Sequence, residues 1–204
     1  YLRGNHDSGE AAEDLPNLKT FSKEWTYYRY GRVVFAGIEL CPENALSLYS
    51  SLRLSEKDIN VVIMHGDVSE GAGADKIKLA ALKDKNIDYL ALGHIHYSST
   101  NSLGSRGIAR YSGCLEGRGF DEAGKKGFYE IDIDEETGKT TDKFVSLSQR
   151  TIYRYETDVS AAKTRSEVYS IVKNAVSATK SDIVRIELVG ERSYDDENLE
   201  DDLT

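Results

Sequence analysis

The architecture follows from an apolar run that ends in two histidines: residues 87–96 read IDYLALGHIH. A short apolar run of this kind predicts a strand buried on both faces, as in a parallel sheet. Side chains two residues apart in an extended segment point the same way, so His94 and His96 can address one cavity. Imidazole binds Zn, Fe, Mn, Ni or Cu, and the paired histidines therefore indicate a metal site.

A second predicted strand ends in the same manner. Residues 60–64 finish with the apolar run VVIM, and His65 and Gly66 follow directly. Because the ends of neighbouring strands in a layered α/β domain converge, and ligands bind there, we expect His65 to lie beside the His94 loop. A His65 far from that loop would remove the metal-site interpretation.

The start of the chain carries a third polar motif, Gly4-Asn5-His6-Asp7. An Asn side-chain oxygen can bind a hard cation, and a neighbouring histidine that stays unligated can act as a general acid. We expect the Asp7 carboxylate to orient the His6 imidazole, as carboxylates around metal sites do. Taken alone, the motif also fits a polar turn.

Together and in this order, the three motifs resemble the later motifs of the calcineurin-like metallophosphoesterases, over about residues 1–135. The resemblance implies four metal ligands: Asn5, His65 and His94 on one ion, and His96 on its partner ion. It also implies that His6 is the catalytic histidine next to the scissile phosphate, with Asp7 beside it. The implied cofactors are two divalent metal ions, with Mn²⁺ expected first and Fe or Zn as alternatives.

A further segment points to one branch of that superfamily. Residues 111–122 read YSGCLEGRGFDE and residues 126–129 read KGFY, which is similar to the segment after the histidines in SbcD-like DNA-repair exonucleases. That family typically has Pro and Ser where this chain has Ser112 and Cys114. The resemblance implies DNA as the substrate and an SbcC-like coiled-coil ATPase as the partner. For the glycine-rich residues 113–127, a flexible loop is the alternative interpretation.

Basic residues are concentrated after the histidines. Residues 103–126 contain only three acidic residues and five basic ones: Arg106, Arg110, Arg118, Lys125 and Lys126. Such residues could contact a DNA backbone, and Arg118 is our candidate substrate-binding residue. A solvated surface is the alternative.

The four predicted ligands are all neutral when bound, although two divalent cations about 3.5–4 Å apart repel strongly. The family supplies carboxylates from an Asp-x-His motif and a Gly-Asp-x-x-Asp motif upstream of Gly-Asn-His-Asp, which begins here at residue 4. We therefore expect the 204-residue chain to be a piece of an enzyme that binds Mn²⁺ weakly and is inactive by itself. Self-association, as a homodimer or larger, is expected to cover the sheet edge left open.

The predicted fold class is a layered α/β fold with two domains. Residues 1–149 are expected to form an incomplete metallophosphoesterase β-sandwich flanked by helices, and residues 150–204 the start of a small β-α-β capping domain. In the second domain, Thr164 and Glu167 have the spacing of a capping box before a helix. In the first, the pattern predicts a hairpin around Gly31, and a helix over residues 75–84.

Composition limits the remaining possibilities. The chain is 39% hydrophobic and 30% charged, which suits a globular protein with a core. The net charge of −9 neither supports nor excludes DNA, because the local field in a cleft outweighs total charge. Two isolated cysteines without CxxC spacing favour a reducing, cytoplasmic location, and no apolar run is long enough to cross a membrane.

Two other functions stay open. One is another calcineurin-like phosphoesterase that acts on a nucleotide or a phosphomonoester. The other is a non-catalytic module that keeps the fold for partner binding. Finding no acidic metal motifs in the complete gene would favour the second.

Overall fold

The computed structural model describes residues 1–7 and 15–191. The chain divides into two compact units, one made of Tyr1–Cys114 and Gly127–Val145, the other of Leu115–Lys126 and Ser146–Thr204. We had expected a single boundary near residue 150. Residues 115–126 instead join the later unit, where Gly124 forms a β-bridge with Ile152.

The elements of the described residues are mostly strands. In chain order they are β1 (Thr26–Tyr30), β2 (Val33–Gly37), α1 (Leu48–Ser51), β3 (Ile59–His65), β4 (Asp67–Val68), β5 (Lys76–Ile77), α2 (Leu79–Leu82), β6 (Tyr89–Gly93), β7 (Ser99–Ser102), β8 (Ile108–Tyr111), a 3₁₀ turn (Phe120–Glu122), β9 (Gly127–Ile133), β10 (Thr140–Ser146), β11 (Ile152–Asp158), α3 (Arg165–Ala175) and β12 (Ile183–Val189). The predicted mixed α/β fold class is confirmed: the structure has a multi-strand sheet and few helices.

The first unit is organised by a six-stranded sheet with the order β1-β2-β3-β6-β8-β7. The four central strands, β2, β3, β6 and β8, are parallel, and the two edge strands pair antiparallel to their neighbours. The hairpin predicted around Gly31 is β1–β2. Because β3 and β6 are parallel neighbours, their carboxyl ends lie side by side, with His65 opposite Gly93.

Both faces of this sheet are covered, which is why the central strands are almost continuously apolar. One face places four fully buried side chains in a single core: Ala36, Val62, Leu90 and Ala109. The opposite face buries Val33, Val61 and Tyr89, and Ile131 and Ile133 of β9 pack against them. Strands β9 and β10 form their own two-stranded sheet.

The helix predicted over residues 75–84 is wrong over most of its length. Lys76 and Ile77 form a short strand with β4 instead, and the Lys76 ammonium lies 2.9 Å from the Asp67 carboxylate. Only Leu79–Leu82 is helical, and Asp84 then takes a φ of 60°, which ends the helix. Ile77 and Ala81 produced the helical pattern, although they belong to two different elements.

The second unit contains the predicted β-α-β arrangement. Strands β11 and β12 pair in parallel, with Ile152 opposite Ile183, and α3 connects them. The Thr164 hydroxyl accepts a hydrogen bond from the Glu167 N–H at 3.3 Å, as the capping pattern predicts. Val168 and Val172 of α3 are buried in the small core of this unit. No helix in the described part of the chain is long and apolar enough to span a bilayer.

Candidate metal centre

The structure brings together side chains from three separate segments of the first unit. His65 ends β3, His94 follows β6, and Asn5 lies in the turn at the start of the chain. The Asn5 Oδ1 atom lies 2.9 Å from His65 Nε2 and 3.3 Å from His94 Nδ1. The two imidazole rings are 5.3 Å apart between centroids and nearly perpendicular. The predicted proximity of His65 to the His94 loop is therefore present.

These distances suit a shared cation. Two donor atoms bonded to one ion at about 2.1 Å, and separated by 90° to 110°, lie about 3.0–3.4 Å apart. The two oxygen–nitrogen distances, 2.9 and 3.3 Å, are close to that range. An amide oxygen and two imidazoles are also chemically suited to a divalent transition metal. The residues present therefore fit the kind of ion that the motifs predict.

Two glycines make room for the His65 imidazole. A Cβ atom placed on Gly4 would lie 2.7 Å from His65 Cε1, and one placed on Gly93 would lie 2.8 Å from His65 Nδ1. Real Cβ atoms essentially never approach other atoms so closely, so either side chain would displace the ring. Gly4 and Gly93 thus flank the ring on two sides, and glycine is needed there for close approach.

The electrostatic setting keeps His65 neutral. Burial lowers the pKa of His65, and the neighbouring His94 imidazole lowers it further, while the Asp7 carboxylate opposes both effects. A metal ligand must be the neutral imidazole. The lowered pKa therefore holds His65 in the form that can bind a cation.

Tyr111, which the sequence did not identify as part of the site, fixes the position of the loop after β3. The hydroxyl of Tyr111, at the end of β8, donates to the Gly66 carbonyl oxygen at 2.6 Å and accepts from the Val68 N–H at 2.9 Å. Tyr111 is 3% exposed, so its hydroxyl is held in a closed environment. Only the pairing of β6 with β8 brings it to this loop, and nothing in the local sequence around residue 111 indicates it.

His94 has an unusual backbone conformation. Its φ is 107°, in a region that residues with a side chain rarely adopt, at a cost of about 1–3 kcal/mol. Such strain tends to be kept at functional sites. Here it turns the chain directly after β6, where the imidazole meets Asn5.

Asp7 has a different set of partners from the one we expected. Its Oδ2 accepts hydrogen bonds from the Gly4 N–H and from the Tyr1 hydroxyl, both at 2.8 Å. The Gly4 N–H, followed by the Tyr1 hydroxyl, lowers the pKa of Asp7. The carboxylate thus stabilises the turn that carries Asn5, whereas we expected it to orient His6. The His6 side chain is exposed on that turn.

His96 is exposed on the loop beyond His94. Its carbonyl oxygen accepts a hydrogen bond from the Cys114 thiol at 3.5 Å, within the first unit. The role of His96 as the ligand of a second ion stays a prediction. Neither Cys41 nor Cys114 forms a disulfide.

Two of the basic residues proposed to contact DNA form ion pairs within the first unit. Arg106 makes a two-pronged ion pair with the Asp88 carboxylate, at 2.9 and 3.0 Å. Arg110 is only 10% exposed, pairs with Asp142, and lies 4.0 Å from the centre of the Tyr129 ring. The guanidinium groups of Arg106 and Arg110 therefore hold strands and loops together, and their contact with a DNA backbone stays a prediction.

The candidate substrate residue Arg118 lies in the second unit. Its side chain is 78% exposed, and its N–H donates to a carboxylate oxygen of Glu122 at 2.8 Å. Lys125 is also exposed, whereas Lys126 is buried. Arg118 and Lys125 therefore remain candidates for contact with a substrate.

The carboxyl edge of the parallel sheet gathers two imidazoles and an amide oxygen, which is an arrangement suited to a divalent metal ion. The family model for calcineurin-like phosphoesterases matches residues 1–98, which supports placing the chain in that superfamily and supports a metal-dependent hydrolase activity in general. The matched range includes every predicted ligand and the predicted catalytic pair, and it ends before Cys114 and Arg118. No curated protein matches the chain.

Proposed function

We propose that the full-length protein is a metal-dependent phosphodiesterase that acts on DNA, as an exonuclease of the SbcD-like kind. The proposed metal dependence rests on one observation. Asn5 Oδ1 lies close to both His65 Nε2 and His94 Nδ1, at the carboxyl edge of β3 and β6. The family match to residues 1–98 supports phosphoester hydrolysis as the chemistry.

In this proposal, Asn5, His65 and His94 hold one divalent ion, and His96 holds its partner. When bound, the two ions supply Lewis-acid polarisation of the phosphate and a nucleophile at neutral pH. His6 lies next to Asn5 on an exposed turn, where it can reach a bound phosphodiester. Its imidazolium donates a proton to the leaving oxygen, a contribution typically worth about 10²–10⁴-fold in rate.

Support for DNA as the substrate comes from the segment after β8. Residues 111–122 and 126–129 are similar to the corresponding segment of SbcD-like exonucleases, and the first range carries the exposed Arg118. The same resemblance leads us to propose an SbcC-like coiled-coil ATPase as partner and Mn²⁺ as the first metal to test. The two isolated cysteines lead us to propose a cytoplasmic location. Self-association of the 204-residue chain belongs to the same proposal.

The test compares hydrolysis of end-labelled linear duplex DNA, a cyclic nucleotide and a phosphomonoester, each with Mn²⁺. It uses the 204-residue chain and the complete product of its gene. We expect the complete protein to shorten the DNA and the 204-residue chain to be much weaker. His94→Ala should lose metal binding and activity together, whereas His6→Ala should keep the metal and lose about 10²–10⁴-fold in turnover.

Tyr30→Phe is the matched control, because Tyr30 is 55% exposed and takes no part in the candidate centre. If the protein hydrolyses the small substrates but leaves the DNA uncleaved, DNA is not its substrate, and the assignment as a phosphoesterase still stands. A complete protein that binds metal and hydrolyses none of the three would favour the non-catalytic module.

A further inference from the structure

The segment after β8 passes directly against the histidine loop. Tyr111, the last residue of β8, is paired with Leu92 of β6, two residues before His94. Gly113 then has a φ of +83°, and a Cβ atom added there would lie 3.1 Å from the His96 carbonyl oxygen. Only glycine combines this backbone conformation with such a close approach. As a result, the next residue, Cys114, lies beside His96.

Cys114 is held in place from two sides. Its thiol donates to the His96 carbonyl oxygen at 3.5 Å, and its own carbonyl oxygen accepts from the Gly127 N–H at 3.2 Å. A ring nitrogen of His96 and the Cys114 sulfur lie within 4.8 Å of each other. On a tetrahedral zinc ion, with Zn–N of about 2.1 Å and Zn–S of about 2.3 Å, the same two atoms would be about 3.6 Å apart.

We infer that Cys114 is a thiolate ligand of the metal ion held by His96, so that this position selects a thiophilic ion such as Zn²⁺ or Fe²⁺. The inference deepens the proposed function and rests on one part of it, namely that His96 is a metal ligand.

Charge provides the first chemical reason. The predicted donors Asn5, His65, His94 and His96 are all neutral when bound, so none of them offsets the repulsion between two divalent ions. A cysteine loses its proton when it binds a metal and then contributes a full negative charge. A Cys114 thiolate would therefore add negative charge beside these neutral donors, from inside the first unit.

Ligand softness provides the second reason. Thiolates favour zinc and iron, whereas Mn²⁺ prefers carboxylate, carbonyl and water oxygens. At this one position, a His–Cys pair should therefore bind Zn²⁺, Fe²⁺ and the spectroscopic substitute Co²⁺ more tightly than Mn²⁺. The Asn5–His65–His94 position keeps its oxygen donor and is not expected to share this preference.

Co²⁺ titration of the 204-residue chain tests the inference, in a buffer that contains no thiol reductant. Visible bands report Co²⁺ in a protein site, and an intense near-ultraviolet band reports a bond between cobalt and a thiolate. The variants are Cys114→Ser, which removes the thiolate, and Cys41→Ser as the matched control. Cys41 is the other cysteine of the same unit, and its backbone N–H donates to the Asn44 side-chain oxygen.

We expect the near-ultraviolet band in the unmodified chain and in Cys41→Ser, and its loss in Cys114→Ser. Zn²⁺ affinity, measured by competition with Co²⁺, should fall at least about tenfold in Cys114→Ser, since even residues behind the ligands cost that much. Circular dichroism checks that each variant is folded.

Visible bands without the thiolate band, or a thiolate band that survives Cys114→Ser, would overturn the role of Cys114 and leave the metal centre standing. A folded chain that shows no cobalt bands would overturn the role of Cys114 and would show that the residues of the 204-residue chain do not hold an ion without further ligands. Zn²⁺ affinity unchanged in Cys114→Ser would mean that the thiol serves only to hydrogen-bond the His96 loop.

Discussion

His65 and His94 place their imidazole rings 5.3 Å apart, although 29 residues separate them in the chain. The cause is the parallel pairing of β3 with β6, which sets His65 opposite Gly93. One residue later, the strained turn at His94 directs the second ring back toward the first. The amide oxygen of Asn5 then meets a nitrogen of each ring. Any change to this register or to the space around the rings should therefore alter metal binding.

Gly93→Ala tests the space around His65. The added methyl group would lie 2.8 Å from His65 Nδ1, so we expect the ring to shift and metal affinity to fall at least about tenfold. Isothermal titration with Zn²⁺ or Co²⁺ measures this. Gly71→Ala is the control, because its methyl group would meet only the Ser69 hydroxyl at 3.2 Å, on an exposed loop. Equal affinities for the two variants would show that His65 does not bind the ion.

Tyr111→Phe tests the tie between β8 and the loop after β3. The change removes a buried hydroxyl and leaves the Gly66 carbonyl and the Val68 N–H without this partner, so the free energy of unfolding should fall by about 1–3 kcal/mol. Urea unfolding, followed by Trp25 fluorescence, measures it. The exposed Tyr30→Phe should stay within about 0.5 kcal/mol of the unmodified chain. A neutral Tyr111→Phe would mean that the loop is held by other contacts.

Alkaline pH should destabilise the first unit. Burial raises the pKa of Tyr89 and of Tyr111 to about 12, above the ordinary value of 10.0. As the pH rises, the unfolded chain loses its phenolic protons before the folded protein does. The contribution of the two tyrosines to the free energy of unfolding is therefore complete below pH 10 and is lost as the pH rises from 10 to 12. Each of these two tyrosines should lower the free energy of unfolding by up to about 1.4 kcal/mol per pH unit between pH 10 and 12.

Urea unfolding between pH 8 and 11 checks this slope. Tyr89→Phe should flatten the fall in stability above pH 10, since phenylalanine has no proton to lose, and Tyr30→Phe should leave the slope unchanged. A stability that is independent of pH across this range would contradict burial as the cause of the raised pKa.

Thr164→Ala tests the start of α3 in the second unit. The lost hydroxyl accepts from the Glu167 N–H at 3.3 Å, and removing a cap of this type costs about 1 kcal/mol. Thermal unfolding, followed by far-ultraviolet circular dichroism, measures the shift. Ser166→Ala, two residues later on the exposed side of the same first turn, should change stability by less than about 0.5 kcal/mol. If both variants behave alike, the cap does not stabilise the helix.

Local chemistry was enough to predict several features. Apolar runs placed β3 and β6 in a buried sheet, and the histidines at their ends identified the candidate centre. The Thr164–Glu167 spacing placed the start of α3. These features depend on side-chain periodicity and hydrogen bonding within a few residues, which are written directly in the amino-acid order.

Other features depend on contacts between distant segments. The meeting of Asn5 with two rings that lie 60 and 89 residues away, and the use of Arg110 in an ion pair with Asp142, follow from strand order and register. So does the position of the Tyr111 hydroxyl over Gly66. Residues 76–77 form a strand, against their helical pattern, because β4 offers them a partner. A local pattern shows which side chains will be buried or polar, whereas the neighbour that each one meets depends on how the whole chain packs.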